Sequence, residues 1–218
     1  MNSFGTLFRI SIFGESHGSG IGFTADGVPP GIPFTESDME GDIKRRMPGG
    51  DGTTPRREPD LPEILSGVYQ GRTSGAPLAV LFRNRDAQSS SYNRFKDIPR
   101  PGHADLTAGN KYGGFNDPRG SGHFSGRITL PLVAAGALAK KIVPAVMIES
   151  EILEIGGSGD YNERLKEAIA SGDSLGGIIE VRMNNVPSGL GEPFFNSFES
   201  VVSHLVFSVP AVRGIEFG

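Results

Sequence analysis

What this chain can fold into is limited first by where its backbone is punctuated: 21 of its 32 glycines and 11 of its 16 prolines fall in residues 1–130. Glycine and proline bend strands and stop helices, so that part is expected to hold short strands joined by long loops. Against it stands "TLPLVAAGALAKKI", residues 129–142, an apolar run read as a helix with Thr129 as a cap and Pro131 tolerated close to its start. Its Ala/Gly-rich face suits close packing.

The other elements follow from periodicity and turn chemistry. "TLFRISIF" and "IGFTADGV" read as two short strands around the bend "GESHGSG". "TESDMEGDIKRRM" reads as a helix, with Thr35 at its cap, Asp38 three residues on, and Lys44 to Arg46 at the negative end of its dipole. "EILSGVYQG" and "PLAVLFRN" are strand candidates, the second apolar enough to be central. Residues 84–125 show no clear periodicity and read as functional loops, as does the stretch around 48–58. Beyond 142 come a strand "VMIESEILEIGG", a helix "NERLKEAIASG" ended by Gly172, a strand "GGIIEVRMNNV" and a helix "NSFESVVSHLVFS". Helices alternating with antiparallel or mixed strands imply an α+β sandwich.

With 218 residues and 37% hydrophobic content the chain can bury a sizeable core. No apolar run approaches the ~20 residues of a membrane span, and "MNSFGTLFRI" lacks the pattern of a signal peptide. A cytoplasmic protein with no membrane association is expected. The absence of cysteine removes disulfides and thiolate chemistry. Residues 1–130 hold 15 Lys/Arg against 14 Asp/Glu and the rest 6 against 11, a balance unlike that of a nucleic-acid binder.

Local clusters carry the chemistry. Lys44/Arg45/Arg46, Arg56/Arg57 and Arg94/Lys96/Arg100, with Arg119 and Arg127 beyond, are the guanidinium-rich pattern that binds phosphate or carboxylate. The expected ligand is a small polyanion. His17 in "GESHG" and His103 in "RPGHAD" sit on bent loops, where an imidazole can pass a proton and a nearby phosphate favours its charged form. His204 lies in an apolar helix pattern and is read as structural. No paired-histidine spacing appears, so no metal centre is expected. Ser16 stands beside His17 in sequence, a poor arrangement for a serine-hydrolase dyad, and "GSGHFSG" has the wrong glycine spacing for a dinucleotide-binding turn.

In order and spacing, "FGESHGSGIGFTADGVPPGIP", "DIKRRMPGGDGTTPRREPDLPEILSGVYQGRTSGAPLAVLFRN", "RPGHADLTAGNKYG", "SGHFSGRITLPLVAAGALAKK" and "GLGEPFFNS" resemble chorismate synthase, from about residue 1 to residue 218. The resemblance implies a β-α-β sandwich fold, commonly a homotetramer, working in the shikimate pathway of aromatic amino acid biosynthesis. It implies a carbon–oxygen lyase that eliminates phosphate in an anti-1,4 sense from 5-enolpyruvylshikimate 3-phosphate to give chorismate. Reduced FMN is required and not consumed overall, with NADP(H) or a separate reductase supplying the reducing equivalents. Carried over by position, His17 matches the histidine near the substrate phosphate and His103 the one beside the flavin. Arg46 matches a substrate-binding arginine, Arg100 and Arg127 are expected to line the same pocket, and His123, Phe124 and Ser125 fall in the FMN-contacting segment.

Two departures stand out: "GGDG" follows Arg46 where relatives place a further basic residue, and "GHFSGR" replaces a version richer in arginine and serine. The chain also ends at "VRGIEFG", before the C-terminal part that in the family carries most FMN contacts and a catalytic aspartate. A single, incomplete chorismate synthase domain over residues 1–218 is therefore expected, with weak flavin binding and little turnover in this form. The alternatives are a non-catalytic phosphoanion-binding or assembly fragment, and a metal-dependent phosphohydrolase built on His17 and His103.

Overall fold

The computed structural model describes residues 2–50, 52–54, 56–86, 89, 92, 94, 95 and 97–218; Lys96 of the third basic cluster lies outside the described residues. The elements run β1 (Ser3–Phe4), β2 (Arg9–Gly14), β3 (Gly20–Asp26), α1 (Ser37–Arg46), β4 (Pro62–Ser66), β5 (Val68–Tyr69), β6 (Arg72–Thr73), β7 (Leu78–Arg83), α2 (Asp105–Tyr112), α3 (Thr129–Ile142), β8 (Met147–Ile155), α4 (Asn162–Ser171), β9 (Gly177–Asn184) and α5 (Phe198–Val206). They fall into two compact units, one of residues 1–46, 57–142 and 191–218, the other of 47–56 and 143–190. No helix among the described residues is long and apolar enough to cross a membrane.

In the first unit five strands form an antiparallel sheet in the order β1-β2-β3-β7-β4. Alternation sets its buried face: Ile21, Phe23 and Ala25 of β3 lie opposite Phe82, Val80 and Leu78 of β7, all fully buried. Helices α1 and α3 cover this face, with Met39 and Ile43 from one and Leu130, Ala134, Ala137 and Leu138 from the other completing the core. Two ion pairs, Lys141 to Asp38 at 2.6 Å and Lys140 to Asp42 at 2.5 Å, join the helices along their outer edge.

The helix starts follow the sequence with one change of detail. The Asp38 carboxylate accepts from the backbone N–H of Thr35 at 2.8 Å, one half of a capping box, and from the Thr35 hydroxyl at 3.2 Å. At α3 the capping side chain is Ser125, which accepts from the N–H of Arg127 at 3.3 Å in the 3-10 turn Gly126–Ile128. Thr129 is instead the first helical residue, its hydroxyl donating to the carbonyl of Gly126 at 2.6 Å.

Residues 84–125 differ from the sequence expectation by containing α2. Its eight residues include an interior glycine and few apolar positions, too little periodicity to register, and it ends at Gly113 in the left-handed conformation. The second unit is a two-stranded antiparallel ribbon, β8 with β9, and α4 closed by Gly172 at φ 68°. These elements coincide with the strands and helix expected there.

Candidate active site

The bend between β2 and β3 carries His17 and is fastened on two sides. The Ser16 N–H donates to the Gly122 carbonyl at 3.0 Å, and the Asn84 amide donates to the carbonyls of Glu15 and Gly18 at 3.0 and 2.9 Å. His17 is 9% exposed. Its Nδ1 lies 2.9 Å from the Ser89 hydroxyl, and its ring meets Tyr92 edge-on at 5.1 Å. Gly120 takes φ 57°, and a Cβ there would stand 2.4 Å from His17 Cδ2 and 2.5 Å from Nε2. Only glycine leaves room for the imidazole.

Beside this bend two arginines share one carboxylate. Arg127, from the turn ahead of α3, donates through Nη1 to Asp60 Oδ1 at 2.7 Å and through Nε to Asn84 Oδ1 at 2.7 Å. Arg46, at the end of α1, reaches Asp60 Oδ2 at 3.5 Å, the Thr129 hydroxyl at 3.2 Å and the Gly126 carbonyl at 3.3 Å. Asp60 is 3% exposed and held at φ 47°. Neighbouring Glu58, also buried, accepts from the N–H groups of Arg85 and Asp86 and so secures the loop after β7. Arg127 Nη2 is buried with no hydrogen-bond partner among the described residues. A buried cationic donor left open favours an anionic acceptor.

Arg100 is committed to its own loop. It makes a two-pronged pair with Asp105 at 2.8 and 2.9 Å, donates to the Ser121 hydroxyl at 2.8 Å, and lies over the Phe95 ring at 4.5 Å. Its hydrogen bonds hold the Asp105 carboxyl below the ordinary carboxylate range. His103 is exposed on the turn leading into α2, its N–H donating to the Arg100 carbonyl at 3.4 Å. It connects to His17 through contacts in series: His17 with Tyr92, Tyr92 with Phe95 at 5.9 Å, and Phe95 with the Arg100 guanidinium. Of the nearby acids, Asp117 is held low mainly by its hydrogen bond from Arg119, with a smaller contribution from His17.

His123, Phe124 and Ser125 line a cavity of about 310 Å³ with Phe4, Ile10 and Leu132. His123 is held at both nitrogens, by the Gly14 carbonyl at 2.7 Å and the Asn2 side chain at 3.1 Å. Phe124 is 43% exposed and also faces a smaller hollow, about 180 Å³, beside Ala104 and Asp105. His204 lines the larger cavity and meets Phe4 edge-on at 5.3 Å. No group of three or more His, Cys, Asp or Glu is arranged to hold a metal among the described residues.

The geometry thus joins His17, Arg46 and Arg127 through Asn84 and Asp60, two residues the sequence reading passed over. A family model described as chorismate synthase matches residues 8–218. The chain belongs to the chorismate synthase family. It is 54% identical over its whole length to the chorismate synthase of Chitinophaga pinensis, covering 66% of that protein, and 42% identical to that of Ignicoccus hospitalis, covering 64%. A solved structure, "Crystal Structure of Chorismate Synthase", matches 96% of the chain and 68% of its own with a TM-score of 0.75 at 27% identity. The chain spans about two thirds of the length of these chorismate synthases.

Two outcomes follow from the packing and the charges. Gly120→Ala displaces the His17 ring, and NMR of the histidine side chains should show a change at His17 while His204 is unaltered; an unmoved His17 contradicts the contact. Because the Asp105 pKa is depressed on folding, its pair with Arg100 stabilises above the unfolded value of about 3.9 and is lost as pH falls through the lower, folded value. Asp105→Asn should therefore cost stability at pH 6 and progressively less below pH ~4, as read by urea unfolding at each pH. A cost independent of pH would count against the pair.

Proposed function

We propose that this chain carries the chorismate synthase reaction, phosphate elimination from 5-enolpyruvylshikimate 3-phosphate with reduced FMN, in a cytoplasmic homotetramer. One observation carries the reading: Arg127 Nη2 is buried with no hydrogen-bond partner among the described residues, beside Arg46 and the histidine bend. The substrate presents a dianionic phosphate and two carboxylates, and paired guanidinium groups are the donors suited to receive them. Arg46 and Arg127 bind and orient. Arg100 acts on the same ligand by stiffening the loop that carries His103.

His17 is the group that hands a proton to the departing phosphate. Burial and the Ser89 hydroxyl fix the ring, so a proton on its far nitrogen keeps one direction. His103 balances the charge of the cofactor ring from the entrance of α2. For reduced FMN, the cavity by His123, Phe124 and Ser125 offers apolar walls from Phe4, Ile10, Ile12 and Leu132 and an open aromatic face on Phe124. Those residues would hold the ring system; when bound, the reduced flavin lends electron density to the breaking allylic C–O bond and accepts the ring proton. The engaged nitrogens of His123 assign it to the wall rather than to a charge contact.

The test, on protein expressed from the complete reading frame, is phosphate release from 5-enolpyruvylshikimate 3-phosphate under nitrogen with photoreduced FMN. Flavin-dependent release is expected; release without flavin, or none from folded protein, overturns the reading. His103→Ala should lower kcat by about 10²-fold or more and leave substrate affinity within about threefold. Arg46→Ala should weaken substrate binding at least tenfold, and unchanged affinity would return it to the surface charges.

A further inference from the structure

Asn84 stands where the two halves of the candidate site meet. It directly follows β7, whose last residue Arg83 pairs with Gly20 at the start of β3, so the sheet itself sets its position against the bend 15–19. Its backbone N–H donates to the Ser19 carbonyl at 3.2 Å. Its side chain then uses both N–H donors on the carbonyls of Glu15 and Gly18, and its oxygen on Arg127 Nε at 2.7 Å. The orientation is forced. Turning the amide over would set its oxygen against two carbonyls and its N–H groups against a guanidinium donor.

No other residue type supplies this set at this length. Aspartate keeps the acceptor for Arg127 but opposes two carbonyls with negative charge, leucine keeps the shape and loses all three bonds, and glutamine is one methylene too long for the same anchor point. The carbonyls of Glu15 and Gly18 flank His17 in the chain, so their placement sets where the imidazole sits.

We propose that Asn84 is a positioning residue that couples Arg127 to the His17 bend, fixing the distance between the guanidinium that receives the phosphate and the imidazole that protonates it. This rests on the phosphate-elimination reading above. Asn84 is committed to Glu15, Gly18 and Arg127 rather than to a ligand. It acts on the spacing of two groups, and an error of about 1 Å in such spacing costs on the order of 10²-fold in rate. The contribution is expected in the chemical step, because Arg127 has a second anchor, its 2.7 Å bond to Asp60, that does not involve Asn84.

The experiment uses protein expressed from the complete reading frame. Asn84→Ala should lower kcat at saturating substrate by about 10- to 100-fold, hold KM within about threefold, and shift the alkaline limb of the kcat–pH profile, where an acid that must be protonated is lost, as His17 changes surroundings. Asn84→Asp, which retains the bond to Arg127, should lose kcat as well, since the bend is released in both. A folded Asn84→Ala enzyme with kcat within twofold of the parent, or a loss carried wholly by KM, overturns the coupling. Should the parent itself release no phosphate, the functional reading falls and Asn84 is judged on His17 alone. Ring-nitrogen NMR signals of His17 that move in Asn84→Asp uphold the link, and unmoved signals end it.

Discussion

The site depends on one buried carboxylate. Asp60, out of water and strained into a left-handed backbone conformation, gives one oxygen to Arg127 and the other to Arg46. Alone, each guanidinium would carry the full desolvation cost of its position; sharing the Asp60 carboxylate stabilises both. The arginines come from separate elements, the end of α1 and the turn before α3, so Asp60 also closes one corner of the helix pair. The proposed anion site and the local packing are one arrangement here.

Around that corner the fold acts as a positioning frame. The sheet pairs β7 with β3, which delivers Asn84 to the His17 bend, and the glycines at 120 and 122 let a second loop close over it. The aromatic pair Tyr92 and Phe95 then spans from His17 to Arg100, and Arg100 braces the turn bearing His103.

The sequence was most legible where structure is local. Periodicity placed α1, α3, α4, α5 and the long strands, because their faces are written within a few turns or a few alternations. It did not show α2, whose short, glycine-interrupted segment is stabilised by Arg100 gripping Asp105 at its first turn. His17, Arg46 and Arg127 were visible as motif residues in a phosphate-binding pattern. Asp60 and Asn84 were not, since they earn their roles through partners 67 and 43 residues away and each is an ordinary polar residue in its own neighbourhood. The same distance explains the basic clusters: from Lys44, Arg45 and Arg46 nothing local says that Arg46 is the one directed at Asp60.

Asp60 makes Arg46 and Arg127 one unit toward a bound anion. A double-mutant cycle of Arg46→Ala and Arg127→Ala, scored by the dissociation constant of 5-enolpyruvylshikimate 3-phosphate, measures this directly. The shared carboxylate predicts that the double variant loses less affinity than the sum of the single losses, with a coupling of about 1 kcal/mol or more. Losses that add to within about 0.5 kcal/mol would mean two independent surface charges and contradict it.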